Sequence, residues 1–134
     1  MDFDFEIYKN KNFSSLCKDI VSNSEKRKSF IEGEIKKIIS LATTVSEAMV
    51  IYPLVTGLID AGTKNDEQLI KLAGVLQKIV SKGEDSSDGS LLITEEEKKQ
   101  LLELQDFSID IEDIKEKSKI PTSKNEIEES VNNH

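Results

Sequence analysis

The chain has 134 residues, 37% of them hydrophobic and 33% charged, with one cysteine, one histidine, no tryptophan and a formal net charge of −8. That length suits one domain with a thin core. A lone cysteine excludes an internal disulfide and a thiolate zinc site, and a lone histidine, His134 at the very end of a polar tail, excludes histidine-based catalysis.

No catalytic residue, no cofactor and no metal ligand is therefore expected. Cys17 reads as a small buried hydrophobe, and Glu95-Glu96-Glu97 as a solvated helix face. Residues 1–83 carry 12 basic against 11 acidic side chains, and residues 84–134 carry 6 against 15, so the acidity belongs to the tail. The first residues, Met1-Asp2-Phe3-Asp4-Phe5-Glu6, are acidic where a secretory signal is basic and then apolar, and no apolar run approaches 18 residues. An intracellular, soluble protein without membrane contact is expected.

In chain order, residues 1–11 alternate, with Phe3, Phe5 and Ile7 on one side and Asp2, Asp4 and Glu6 on the other, which predicts a short strand or extended arm. A brief helix follows from Phe13 to Val21. Ser22-Asn23-Ser24-Glu25 has capping-box spacing and predicts the start of a longer helix. Beyond it Ile31, Ile35, Ile38, Ala42 and Val45 recur at steps of 4 and 3, the heptad period of a helix packed on another helix. Lys26, Arg27, Lys28, Lys36 and Lys37 form the local basic cluster on this segment. These five are candidate DNA-backbone contacts, set against the plainer reading of a solvated face.

Thr43-Thr44-Val45-Ser46-Glu47 lowers helix propensity and repeats the capping-box spacing, so a helix-to-helix turn is placed there. Ile51, Val55, Leu58, Gly62, Asn65, Leu69, Leu72, Leu76 and Ile79 then step by 4 and 3 without a slip, which favours one long helix. Val50, Leu54, Ile59, Ile70, Ala73 and Val80 widen its apolar stripe. Asn65 reads either as a register-fixing polar residue in the seam or as a solvent-facing break. Gly57 and Gly62 read as places of close packing or a kink. Gly83 closes the helix, and a polar, glycine-punctuated linker follows. A further helix starts at Thr94, with Glu97 completing its box and Leu101, Leu102 and Leu104 on its apolar side. Phe107, Ile109 and Ile111 alternate and predict a second strand, able to pair with the first.

The expected fold is mainly α: an antiparallel helical hairpin with heptad-like seams, oligomerising, with a short N-terminal arm and a partly disordered acidic C-terminal tail. The divisions are 1–22, arm and short helix; 23–83, central hairpin and oligomerisation domain; 84–93, linker; 94–116, C-terminal helix and short strand; and 117–134, disordered tail. A hairpin cannot bury such broad stripes alone, so copies are expected to meet through Ile31, Ile35, Ile38, Ile51, Val55, Leu58, Leu69, Leu72, Leu76 and Ile79.

Tyr52-Pro53-Leu54-Val55-Thr56-Gly57-Leu58-Ile59, followed without a gap by Asp66-Glu67-Gln68-Leu69-Ile70-Lys71-Leu72, resembles the central hairpin of the small terminase subunits of T-even-like tailed phages. The likeness is one of hydrophobic spacing and covers residues 26–82. It departs at Met49-Val50, where that family has Pro-Arg before the aromatic, and at Pro53, which replaces a polar helix former. The resemblance implies a ring-forming, non-enzymatic protein of the host cytoplasm that binds viral double-stranded DNA and recruits or regulates the large terminase subunit, the packaging ATPase and nuclease. The alternative is a helical adaptor or virion structural protein that binds a protein partner without touching DNA.

Overall fold

The computed structural model describes residues 6–8, 11–85, 93–118 and 124–132, and these are mainly helical. A short antiparallel ribbon, β1 (Glu6–Tyr8) with β2 (Lys11–Asn12), leads into two long helices, α1 (Phe13–Ser40) and α2 (Val45–Asp85). Three shorter helices follow: α3 (Glu95–Asp106), α4 (Ile111–Ser118) and α5 (Lys124–Asn132).

The start of α1 differs from the sequence expectation. It begins at Phe13, where Asn12 Oδ1 accepts the Ser15 backbone N–H at 2.7 Å, and it runs without a break through Ser22–Glu25. Ser24 is buried within it. A capping-box pattern starts a helix only where the preceding chain is not helical, and here Phe13, Leu16 and Ile20, all buried, already hold the upstream turns. The second start stands: Glu47 N–H donates to Thr44 Oγ1 at 3.1 Å, and the Glu47 carboxylate reaches back to the Thr43 N–H at 2.9 Å.

α2 is one helix through Gly62 and Asn65. From Glu47 to Ile79 its buried positions are Glu47, Ile51, Leu54, Leu58, Ala61, Asn65, Gln68, Leu72, Val75 and Ile79, an unbroken alternation of steps of 4 and 3. The sequence series shares Ile51, Leu58, Asn65, Leu72 and Ile79 with it. The remaining position of each heptad lies one residue earlier than expected, at Leu54, Ala61, Gln68 and Val75, while Val55, Gly62, Leu69 and Leu76 flank the seam half-buried. Asn65 is wholly buried, so it is no solvent-facing break.

The chain divides into two units, residues 1–25 with 66–108 and residues 26–65 with 109–134, and each long helix contributes to both. In the first unit, Ile7 of β1, Phe13, Leu16 and Ile20 of α1, Leu72, Val75 and Ile79 of α2, and Leu101 and Leu104 of α3 form one apolar cluster. Thr94 caps α3 with the reciprocal capping box that the sequence predicts. Glu97 of that box also pairs with Lys82 of α2; burial alone would raise its pKa, but the bonds from Lys82 and Thr94 together hold it below the usual carboxylate value.

In the second unit, Ile31 and Ile38 of α1 share a cluster with Ile51, Leu54, Leu58 and Ala61 of α2, Ile111 of α4 and Ile127 of α5. Two expectations are corrected here. Residues 107–110 form no strand and α4 begins at Ile111, its Asp113 N–H bonded to Asp110 Oδ1 at 3.0 Å; β1 pairs with β2 instead. The apparent alternation Phe107-Ile109-Ile111 conceals the helical spacing of Ile111 and Ile114, both of which pack into the cluster. A Cβ at Gly57 would come within 3.2 Å of Ile114 Cγ2, so the glycine admits α4 close to α2.

The second correction concerns the tail, whose residues 124–132 are helix α5. Ile127 is fully buried, and Lys124 Nζ donates to Glu47 Oε1 at 2.6 Å and to Thr43 Oγ1 at 2.9 Å. Composition measures only what a segment can bury by itself, whereas this helix docks one isoleucine into a cluster built by other helices. Residues 119–123 and most of the expected linker, 86–92, lie outside the described residues, as do Phe3 and Phe5.

The Lys124 contact sets a pH dependence. Hydrogen bonds from Lys124, and then from the backbone and hydroxyl of Thr43, lower the Glu47 pKa from 4.5 to about 2. A depressed carboxylate stabilises the fold fully above its unfolded pKa, and that contribution disappears as pH falls through the folded value. Stability should therefore decline between about pH 4.5 and pH 2, and Lys124→Met should flatten that decline; urea midpoints across the range check this.

Candidate interaction surface

Of the five basic candidates, Lys26, Lys28, Lys36 and Lys37 of α1 are exposed. Arg27 is not among them: it is half-buried, its Nε donates to Asn65 Oδ1 at 2.7 Å, and burial lowers its pKa. It holds α2 rather than facing outward.

At 3.6 residues per turn, Lys26 and Lys37 lie within about 20° of each other, whereas Lys28 and Lys36 are roughly 160° and 80° away from Lys26. The four lysines therefore fan around the exposed side of α1 and form no single line. Phe30, 56% exposed, and Gly33 fall between Lys26 and Lys37 on the same face. A shallow groove of about 210 Å³ beside it is lined by Lys26, Arg27, Phe30, Ile31, Ile109 and Ile111. A phosphate backbone would meet Lys26 and Lys37 together, with Phe30 between them.

The ten residues expected between copies sit differently. Ile31, Ile38, Ile51, Leu58, Leu72 and Ile79 are buried in the chain's own two clusters, and Ile35, Val55, Leu69 and Leu76 are half-buried beside the seam. The short helices α3, α4 and α5 supply covering for these stripes that a bare hairpin lacks.

The apolar surface left outside is on other residues. On α2, Val45, Met49, Tyr52 and Ile59 are 79%, 73%, 68% and 54% exposed, at steps of 4, 3 and 7. Thr56 and Thr63 fill the heptad positions after Tyr52 and Ile59. Each turns its hydroxyl onto its own helix, Thr56 to the Tyr52 carbonyl at 2.9 Å and Thr63 to the Ile59 carbonyl at 3.2 Å, which leaves its methyl group for the surface. Between Val45 and Ile59 the one ionisable acid or base with a charge at neutral pH is Glu47, which is buried and paired with Lys124. The result is an uncharged apolar strip on the outside of α2.

That strip was readable in part. Ile59 stands in the widened stripe, Val45 continues the spacing of the α1 series yet is exposed, and Met49 and Tyr52 complete the spacing only once the core face is known. The same apolarity gives Val45–Gly83 an 18-residue window with a mean hydropathy of 1.2, enough by length and composition alone to cross a membrane, although no uninterrupted apolar run is that long. Only 28% of that window is buried inside the chain, so much of it is turned outward.

Among the described residues no activated nucleophile stands out. Burial raises the Cys17 thiol to about 11, which leaves little thiolate at neutral pH. Among the described residues no group of three or more histidine, cysteine or acidic side chains is placed to hold a metal ion. Compared with models of known families, with curated proteins and with solved structures, the chain matches none.

Proposed function

We propose that this chain is a non-enzymatic, self-associating helical protein that binds viral double-stranded DNA and recruits or regulates a large terminase ATPase and nuclease, in the manner of a small terminase subunit in the host cytoplasm. In this reading α1 and α2 form an antiparallel hairpin with heptad seams, and copies gather into a ring that repeats the lysines of α1 many times. The observation that carries self-association is the uncharged outer strip of α2, because exposed apolar surface of that extent marks a contact. DNA contact rests on the exposed Lys26, Lys28, Lys36 and Lys37, and the packaging role on the hydrophobic spacing of residues 52–59 and 66–72. No cofactor and no membrane enter this reading.

The test is a titration with double-stranded DNA at two salt concentrations. Two lysine–phosphate contacts in each copy should weaken binding on the order of tenfold per copy engaged between about 50 and 200 mM salt, and Lys26→Glu with Lys37→Glu should abolish it. Absence of DNA binding at the lower salt would leave the second reading, a helical adaptor or virion structural protein that meets a protein partner. The net charge of −8 favours that reading, since it opposes approach to a polyanion.

A further inference from the structure

The strip on α2 has a shape as well as a lack of charge. Its six positions, Val45, Met49, Tyr52, Thr56, Ile59 and Thr63, keep the 4–3 spacing that fits one helix against another. Laid against a second copy of itself running in the opposite direction, the strip is self-complementary about Leu54. Val45 then meets Thr63, Met49 meets Ile59, and Tyr52 meets Thr56, so the aromatic ring falls opposite a small residue and the thioether opposite a branched one. Both threonine hydroxyls are already bonded to their own helix, so neither loses a partner on burial.

Charge agrees with this pairing. The exposed acid nearest the strip, Asp60, is paired with Lys64 at 3.3 Å, and in the opposed alignment it falls across from Ala48, so like charges do not meet. A lipid surface is a poorer occupant. No lysine or arginine lies between Val45 and Thr63 to anchor the strip to anionic headgroups, and a chain of net charge −8 is repelled by them.

We infer that the outer strip of α2 is the contact between copies: a two-fold, antiparallel helix pair in which Tyr52 of one copy seats against Thr56 of the other. The inference rests on the self-association of the proposed function and names its surface. A two-fold contact closes on itself, so the dimer is the unit from which a larger ring is assembled through other faces.

Three variants of the full chain test it, the two cysteine variants in a Cys17→Ala background. A mixture of Tyr52→Cys chains and Thr56→Cys chains should form a disulfide-linked dimer under mild oxidation at least tenfold faster than either variant alone. Rapid crosslinking of Tyr52→Cys by itself means a parallel pairing and overturns the geometry. Met49→Glu, at a position outside the core, should raise the dissociation constant at least a hundredfold while leaving the circular dichroism of the helices unchanged. If the unaltered chain associates and Met49→Glu associates equally well, the strip is refuted while self-association stands. If Met49→Glu separates the copies and DNA is not bound, the contact stands and the packaging role falls. An unaltered chain that is monomeric overturns both.

Discussion

Leu58→Ala should cost the fold about 3 kcal/mol, moving the urea midpoint down by roughly 1.5 M at a slope of about 2 kcal/mol per M. Leu58 is fully buried in the cluster that joins α1, α2, α4 and α5, and alanine there removes transfer free energy and leaves a cavity that the surrounding isoleucines fill only in part. Leu54→Ala should cost a similar amount, because Leu54 is equally buried. Val55→Ala, beside the seam and half-buried, should cost about 1 kcal/mol or less. The order of these last two is decisive for the packing phase of α2: the hydrophobic spacing alone places Val55 in the seam, and the structure places Leu54 there.

Asn65→Ala should have the second large effect, about 2 kcal/mol of destabilisation, which urea titration will read. Asn65 is wholly buried at a seam position, and its Oδ1 accepts from Arg27 Nε at 2.7 Å, a bond from a charged donor. Alanine takes away that acceptor and leaves the guanidinium group in an environment that already lowers its pKa. Replacing both partners by apolar residues of similar size, Arg27→Met with Asn65→Leu, should recover most of the loss, since buried polar pairs are costly to break and much less costly to remove together. A double-mutant cycle gives the coupling between the two side chains. A coupling near zero would mean that the pair adds nothing to the meeting of α1 and α2.

The long helices were legible because each carries its signal over many turns. A heptad spacing repeated from Ile51 to Ile79 survives one polar residue and one glycine at its own positions, and the box at Thr94 depends only on neighbours in sequence. What periodicity could not settle was which of two adjacent residues completes each heptad. Leu69 is more apolar than Gln68 and Leu76 larger than Val75, so the sequence favours the former of each pair; yet Gln68 and Val75 are the buried ones, because the position of the packing partner selects the face. The same limit hid α4 and α5. Ile127 sits among acids in a segment too polar to make a core, and its burial depends on a cluster whose other members lie far away in sequence. Lys26 and Lys28 flank Arg27 and give it the pattern of surface, while its partner Asn65 is 38 residues distant.

Among the candidate functional residues, the four lysines were legible as exposed charge on a helix. The outer strip of α2 was harder to see, since Val45, Met49, Tyr52 and Ile59 share their helix with a longer and more regular apolar series. Two heptad faces on one helix overlap in sequence and separate only when one of them is known to be occupied.

Sedimentation equilibrium of the full chain, unaltered and at micromolar concentration, puts the account to its most direct trial. A particle of twice the 15.0 kDa chain mass, or a larger even multiple, is the expected result. A single species of 15.0 kDa at that concentration, with the outer face of α2 left in water, would contradict it.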